Sequence, residues 1–111
     1  MEIRFKDNDK TLRELCEKRA AAVRKMGDVA ARKLRTRLED LEAASTVAEL
    51  VAGRPHPLKG DRAGQFAVDL AGGWRLVFAP ANDPTPTRPD GSTDWAQVTI
   101  VCIEYIGDYH D

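Results

Sequence analysis

Two histidines, His56 and His110, occur in the chain, and neither falls on an apolar stripe. His56 sits in the segment "RPHPLKGDRAGQF", residues 54–66, whose prolines and glycines can neither continue a helix nor add much core. His110 lies in the C-terminal "GDYHD". Lys59, Arg62, Asp108 and Tyr109 are their sequence neighbours. These residue types suit cleavage of a phosphodiester. RNA carries its own nucleophile, the 2′-hydroxyl, which DNA lacks. The protein then has to supply a base for that proton, an acid for the departing 5′-oxygen, and cations for the charge that builds on phosphorus. Histidine can serve as base or acid at neutral pH. Lysine and arginine stay charged and can stabilise the phosphorane oxygens without a metal. The other reading of each residue is plainer: a loop histidine as surface decoration, Tyr109 as a packing aromatic.

Elements from both halves of the chain must position these groups. "EIRF" alternates and predicts a short first strand. Thr11 and Glu14 form a capping box, which opens a helix whose stripe is Leu12, Leu15, Cys16, Ala22, Val23 and Met26. Gly27 stops it, and Asp28 can cap a second helix with Ala30, Leu34, Leu38 and Leu41 on one face and Arg32, Lys33, Arg35 and Arg37 mostly elsewhere. Thr46 and Glu49 offer a further capping box before an exit at Gly53. After residue 53 the period changes from helical to alternating. In "QFAVDL" Phe66, Val68 and Leu70 share a face, and "AGG" marks a tight turn. "WRLVF" puts Trp74, Leu76 and Phe78 on one side, Arg75 and Val77 on the other. "WAQVTIVCIEYI" is the longest apolar strand and suits a central position. Residues 80–94 hold four prolines in fifteen positions and predict a flexible loop. The expected architecture is α+β: an N-terminal antiparallel helical hairpin packed on a small antiparallel β-sheet, in one domain spanning 1–111. The last strand would bring residues 108–110 to one edge of the sheet, where the loop 54–62 could meet them.

Composition bounds the function. At 42% hydrophobic and 32% charged, the chain reads as an ordinary globular domain, with no apolar run long enough to cross a bilayer and no secretory h-region at its N-terminus. A cytoplasmic location without membrane contact is expected. Cys16 and Cys102 read as two buried thiols, and the cysteine and histidine spacings show no zinc motif. The net charge of −1 is unevenly spread. Residues 10–42 carry ten Lys and Arg against six Asp and Glu, and 54–75 carry four against two. Residues 76–111 reverse this, with Arg88 alone against six acids. A polyanion would therefore meet the helices and the central segment.

Two blocks are familiar together. "HPLKGDRAGQFAVDLAGGWRLVF" followed by a terminal "DYH" resembles the HigB-type killer toxins of the RelE/ParE superfamily. The resemblance covers residues 55–78 closely and 104–110 well. It implies a toxin neutralised by a HigA-type helix-turn-helix antitoxin, contacting operator DNA only through that antitoxin. Freed, such a toxin enters the ribosome and cuts mRNA, an endoribonuclease needing neither metal nor cofactor and leaving a 2′,3′-cyclic phosphate or its 3′-phosphate product. Carried over, the family's residues fall on His56, Lys59, Arg75, Asp108, Tyr109 and His110. His110 or Asp108 would deprotonate the 2′-hydroxyl, and His56 would protonate or position the leaving oxygen. Lys59 and Arg75 would hold the scissile phosphate, with Arg54 and Arg62 as further RNA contacts. Tyr109 would stack on a base or orient His110.

The chain also departs from that pattern. Its pI near 6.1 is low for such toxins, its loop 80–94 is long and acidic, Gly107 stands where Glu is common, and Asp111 extends past the terminal His. Two other activities remain compatible with the residues: a ParE-like toxin that binds DNA gyrase without cleavage, or an inactive toxin that survives as a partner of its antitoxin in repression.

Overall fold

A computed structural model describes residues 1–108. Two helices, α1 (Lys10–Glu17) and α2 (Arg19–Ala43), cover one face of a five-stranded sheet. The strands are β1 (Glu2–Phe5), β2 (His56–Pro57), β3 (Phe66–Asp69), β4 (Arg75–Pro80) and β5 (Ile100–Gly107), in spatial order β1-β5-β4-β3-β2. The expected α+β architecture is therefore the observed one. β2 to β5 pair antiparallel, whereas β1 joins the far side of β5 in parallel, Ile3 opposite Val101 and Phe5 opposite Ile103. Being flanked on both sides makes β5 internal, so Asp108 leaves from the end of an inner strand and not from a sheet edge.

The helices differ from expectation at their boundaries. Asp9, not Thr11, caps α1: its carboxylate accepts from the Leu12 N–H at 3.0 Å. Lys18 then interrupts the helix in extended geometry, with φ −117° and ψ 109°. Gly27, inside the span of α2, takes φ 85° and ψ 167° and turns the chain back, as its lack of a Cβ permits. The stretch after it returns along α1, and the Arg35 guanidinium donates to the Cys16 carbonyl at 3.4 Å. Glu49 reaches back to the Ser45 N–H at 3.2 Å, one residue earlier than the predicted box.

The core lies between the helices and one sheet face. Leu12, Leu15, Leu34, Leu38 and Leu41 meet Phe66, Val68, Leu76, Phe78, Val101 and Ile103. Phe66 sits between Phe78 and Trp95, with ring centroids 5.6 and 4.8 Å away. Trp95–Gln97 form a 3-10 turn capped by Asp94, so the last strand starts at Ile100 and not at residue 95. The preceding loop carries its own bonds: Arg88 N–H to Ser92 O at 2.8 Å, and Asp94 N–H to Pro86 O at 2.9 Å. Ser92 also donates twice to Asp90, which holds that carboxyl below its usual range.

Pro57 protects the outer edge of the sheet. The Leu58 N–H bonds inward to Gln65 O, so alternation turns position 57 outward, and proline has no N–H to offer a foreign strand. No helix among the described residues is long and apolar enough to cross a membrane.

Both cysteines are free thiols; Cys16 is buried and Cys102 half-buried. Burial pushes the Cys16 thiol up to about 12 and Cys102 to about 11. Thiolate is the reactive form, so at pH 8 its fraction is on the order of 10⁻³ or less at either site. Native protein is expected to resist a thiol-titrating reagent at pH 8 and to yield two thiols once unfolded. Fast native labelling would contradict this burial.

Candidate functional site

Pairing lays out the contents of the sheet face away from the helices. His56 stands opposite Ala67, Ala67 opposite Val77, and Val77 opposite Tyr105. Directly opposed residues share a face, so these four form one row across four strands. Ala67 and Val77 are fully buried and pack with Leu58 into a small second cluster, against which Tyr105 lies. The result is a row with a buried apolar middle, His56 at one end and Tyr105 at the other. Three strand spacings separate those ends, roughly 14 Å between Cα atoms.

Local backbone fixes the histidine. Gly53 (φ 83°) and Arg54 (φ 49°) take successive left-handed conformations. A Cβ at Gly53 would lie 3.0 Å from the Asp69 carbonyl and closer still to the Arg37 side chain, so only glycine fits. The Arg54 carbonyl then meets His56 Nδ1 at 2.8 Å. A carbonyl can only accept, so Nδ1 carries the hydrogen, and Nε2 is left without a protein partner among the described residues.

One row further along, Asp69 pairs with Arg75 and Arg75 with Gly107. Asp69 gathers three arginines. Its Oδ2 meets Arg54 Nε at 2.9 Å, its Oδ1 lies 3.2 Å from Arg75 Nε, and its backbone carbonyl accepts from Arg37 Nε at 3.3 Å. The Arg75 approach is an ion pair too bent for a hydrogen bond, and Arg75 Nη1 is buried with no acceptor among the described residues. Arg37, expected off the buried face, has only 11% of its side chain exposed and is held by Asp40 at 3.0 Å. It ties α2 to this end of the sheet.

The predicted residues are thus distributed along this face. His56 is on it, and Arg54 and Arg75 flank it at the end from which Asp108 emerges, exposed. Lys59 and Arg62 belong to the β2–β3 hairpin loop, at the opposite end. Lys59 is exposed where a 3-10 turn begins; Arg62 donates to Gln65 at 3.3 Å and places its guanidinium carbon 4.9 Å from the Tyr105 ring centre. Tyr109, His110 and Asp111 lie outside the described residues.

Tyr105 is the residue that sequence reading missed. Strict alternation from Val101 and Ile103 would send it into the core. Instead Val77 pairs with Tyr105 and Phe78 with Ile103, which leaves Glu104 as an extra, bulged residue. The bulge shifts the phase, so Ile106 faces the helices while Tyr105 and Gly107 lie on the opposite face. The signal was present: buried apolar positions run 101, 103, then 106.

Gly107 accommodates that ring. A Cβ there would overlap the Tyr105 hydroxyl and ring edge, so the position calls for glycine. Gly107→Ala is expected to displace the ring and destabilise the fold by about 1 kcal/mol, at the low end for overpacking because the ring is a side-chain end with room to swing. Tyr105→Ala should remove most of that penalty in the double variant; equal losses with and without the ring would refute the clash.

Two helices on one face of a mixed five-stranded sheet define an α+β fold. A solved structure described as a YoeB/ParE toxin from Agrobacterium tumefaciens has this fold: it matches over 99% of this chain and 100% of its own, with a TM-score of 0.62 and 12% sequence identity. No protein-family model matches the chain, and no curated protein matches it in sequence. The likeness is one of fold.

Proposed function

We propose that the chain is the toxin of a toxin–antitoxin pair and a metal-independent endoribonuclease that cuts mRNA on the ribosome. One observation carries this reading most directly: His56 stands on the sheet face away from the helices with Nδ1 bonded to the Arg54 carbonyl and Nε2 left without a protein partner among the described residues. An imidazole held in one tautomer is ready for proton transfer at a single nitrogen. In its cationic form His56 donates from Nε2 to the departing 5′-oxygen. His110 or Asp108 takes the proton of the 2′-hydroxyl, whose oxygen attacks phosphorus and leaves a 2′,3′-cyclic phosphate. Arg75 and Arg54, with Lys59 further along, draw the phosphate backbone over this sheet face, and Tyr109 stacks or orients His110. A HigA-type helix-turn-helix antitoxin is the partner that silences the chain and carries it to operator DNA. The toxin-like fold supports the class, and the HigB-like blocks support the activity.

Expression without an antitoxin, with and without His110→Ala, tests this. Growth arrest with newly cut messages, both relieved by the substitution, is the expected result. Arrest with intact messages and damaged DNA would transfer the reading to gyrase binding, and absence of arrest would refute toxicity.

A further inference from the structure

The two edges of the sheet are finished differently. Pro57 closes the β2 edge, whereas β1, at the other end of the strand order, carries no proline and pairs on one side only. The Glu2 N–H bonds to the Thr99 carbonyl, so the backbone groups of Glu2 and Arg4 face β5. Alternation turns the N–H and C=O of Ile3 and the N–H of Phe5 away from the sheet, where they meet no partner among the described residues. The strand is presented in pairing geometry. Phe5 keeps φ −124° and ψ 135°, and the Met1 nitrogen is tied to the end of α2 by the Leu41, Glu42 and Ala44 carbonyls at 2.9, 2.9 and 2.7 Å. Ile3 and Phe5 pack toward the core, while Glu2 and Arg4 alternate with them, pair at 2.6 Å and are each more than half exposed. We propose that β1 is a self-association edge: a second copy of this chain adds its own β1 antiparallel, about a two-fold axis at Ile3.

The edge is its own complement, which favours a second copy over a foreign strand. In this register each Ile3 N–H donates to the other copy's Ile3 carbonyl, and each Phe5 N–H to the other copy's Met1 carbonyl. Glu2 of one copy stands opposite Arg4 of the other, twice by symmetry, and opposite charges directly across a ladder stabilise it. Sliding by two residues in either direction sets Glu2 against Glu2 or Arg4 against Arg4, so charge selects one register. On the helix side Ile3 meets Ile3 and Phe5 meets Met1, which extends the apolar lining of the groove formed by Ile3, Phe5 and Leu38. So short an edge makes a small interface, of the weak class below about 1,200 Å², and the dimer comes apart on dilution. Two five-stranded sheets become one, with the β2 strands and their His56 residues at its far ends. The inference stands apart from any activity of the chain.

Sedimentation equilibrium over a concentration series tests it, with circular dichroism as the folding control. Wild type is expected to pass from monomer to dimer as its concentration rises. Glu2→Arg and Arg4→Glu each oppose like charges at both symmetric contacts, and each should weaken association about tenfold or more. An equimolar mixture of the two variants puts Arg opposite Glu at both contacts again and should associate about as well as wild type. Ile3→Pro removes the central donor but no group that pairs with β5, and should give a folded monomer; should it fail to fold, the charge mixture decides. Wild type that stays monomeric at every concentration overturns the proposal. A dimer indifferent to Glu2→Arg and Arg4→Glu overturns it too, as do folded variants whose mixture does not associate.

Discussion

His56→Gln is expected to lower mRNA cleavage by on the order of 10²- to 10⁴-fold, the usual range for loss of a positioned acid or base, and to relieve growth arrest. Glutamine keeps a polar group of similar reach in β2 but cannot transfer a proton at neutral pH. The fold should tolerate it. The β2 backbone holds its register through the Leu58–Gln65 bond, and the imidazole is only half-buried. Mapping of message ends before and after induction reads the effect, with circular dichroism as the folding control. Full cleavage by a folded His56→Gln protein would remove this histidine from the chemistry. A second substitution sharpens the result: Gly53→Ala leaves the imidazole in place but disturbs the left-handed turn that aims the Arg54 carbonyl at Nδ1. It should lose activity through orientation as well as some stability.

Asp69→Ala is expected to have the largest effect on stability of any polar substitution at the site. Arg75 keeps only 12% of its side chain exposed, and Asp69 is the one carboxylate paired with it among the described residues. Removing one member of a buried pair typically costs about 3 to 5 kcal/mol, because a charge is left without its partner. Asp69 itself is one-third exposed, so water can reach the vacated space and screen the guanidinium. That lowers the expected loss to about 2 kcal/mol. For a domain of this size such a loss shifts the thermal midpoint downward by roughly 10 °C. Arg54 is mostly exposed and should adapt, whereas Arg37 bonds the backbone carbonyl and is unaffected. Asp69→Asn keeps an acceptor and should lose about half as much. Thermal denaturation of the three proteins reads the series, and midpoints within a degree of one another would show that the pair contributes nothing net.

Much of the fold was legible because two periods are strong signals. Leucines 34, 38 and 41 at helical spacing, and Phe66, Val68, Leu76 and Phe78 in alternation, can each be buried in one way only. Helix boundaries were less legible: Thr11 and Asp9 are both residue types that cap helices, and only the local geometry puts the Asp9 carboxylate on the Leu12 N–H. The parallel pairing of β1 with β5 joins residues about a hundred positions apart, and no short-range pattern encodes it.

For the site, the sequence by itself determined the inventory. It set two histidines apart from any apolar stripe and sent Arg75 to the face opposite Trp74. Tertiary structure alone decided which of these groups share a surface. The Glu104 bulge turned Tyr105 out of the core, Asp69 collected Arg54 and Arg75 from different strands, and α2 delivered Arg37 to their backbone. Spacing along a chain specifies a side chain's face only while the strand stays regular. One extra residue reverses that face, and charges brought together by pairing leave no mark on the local pattern of any single strand.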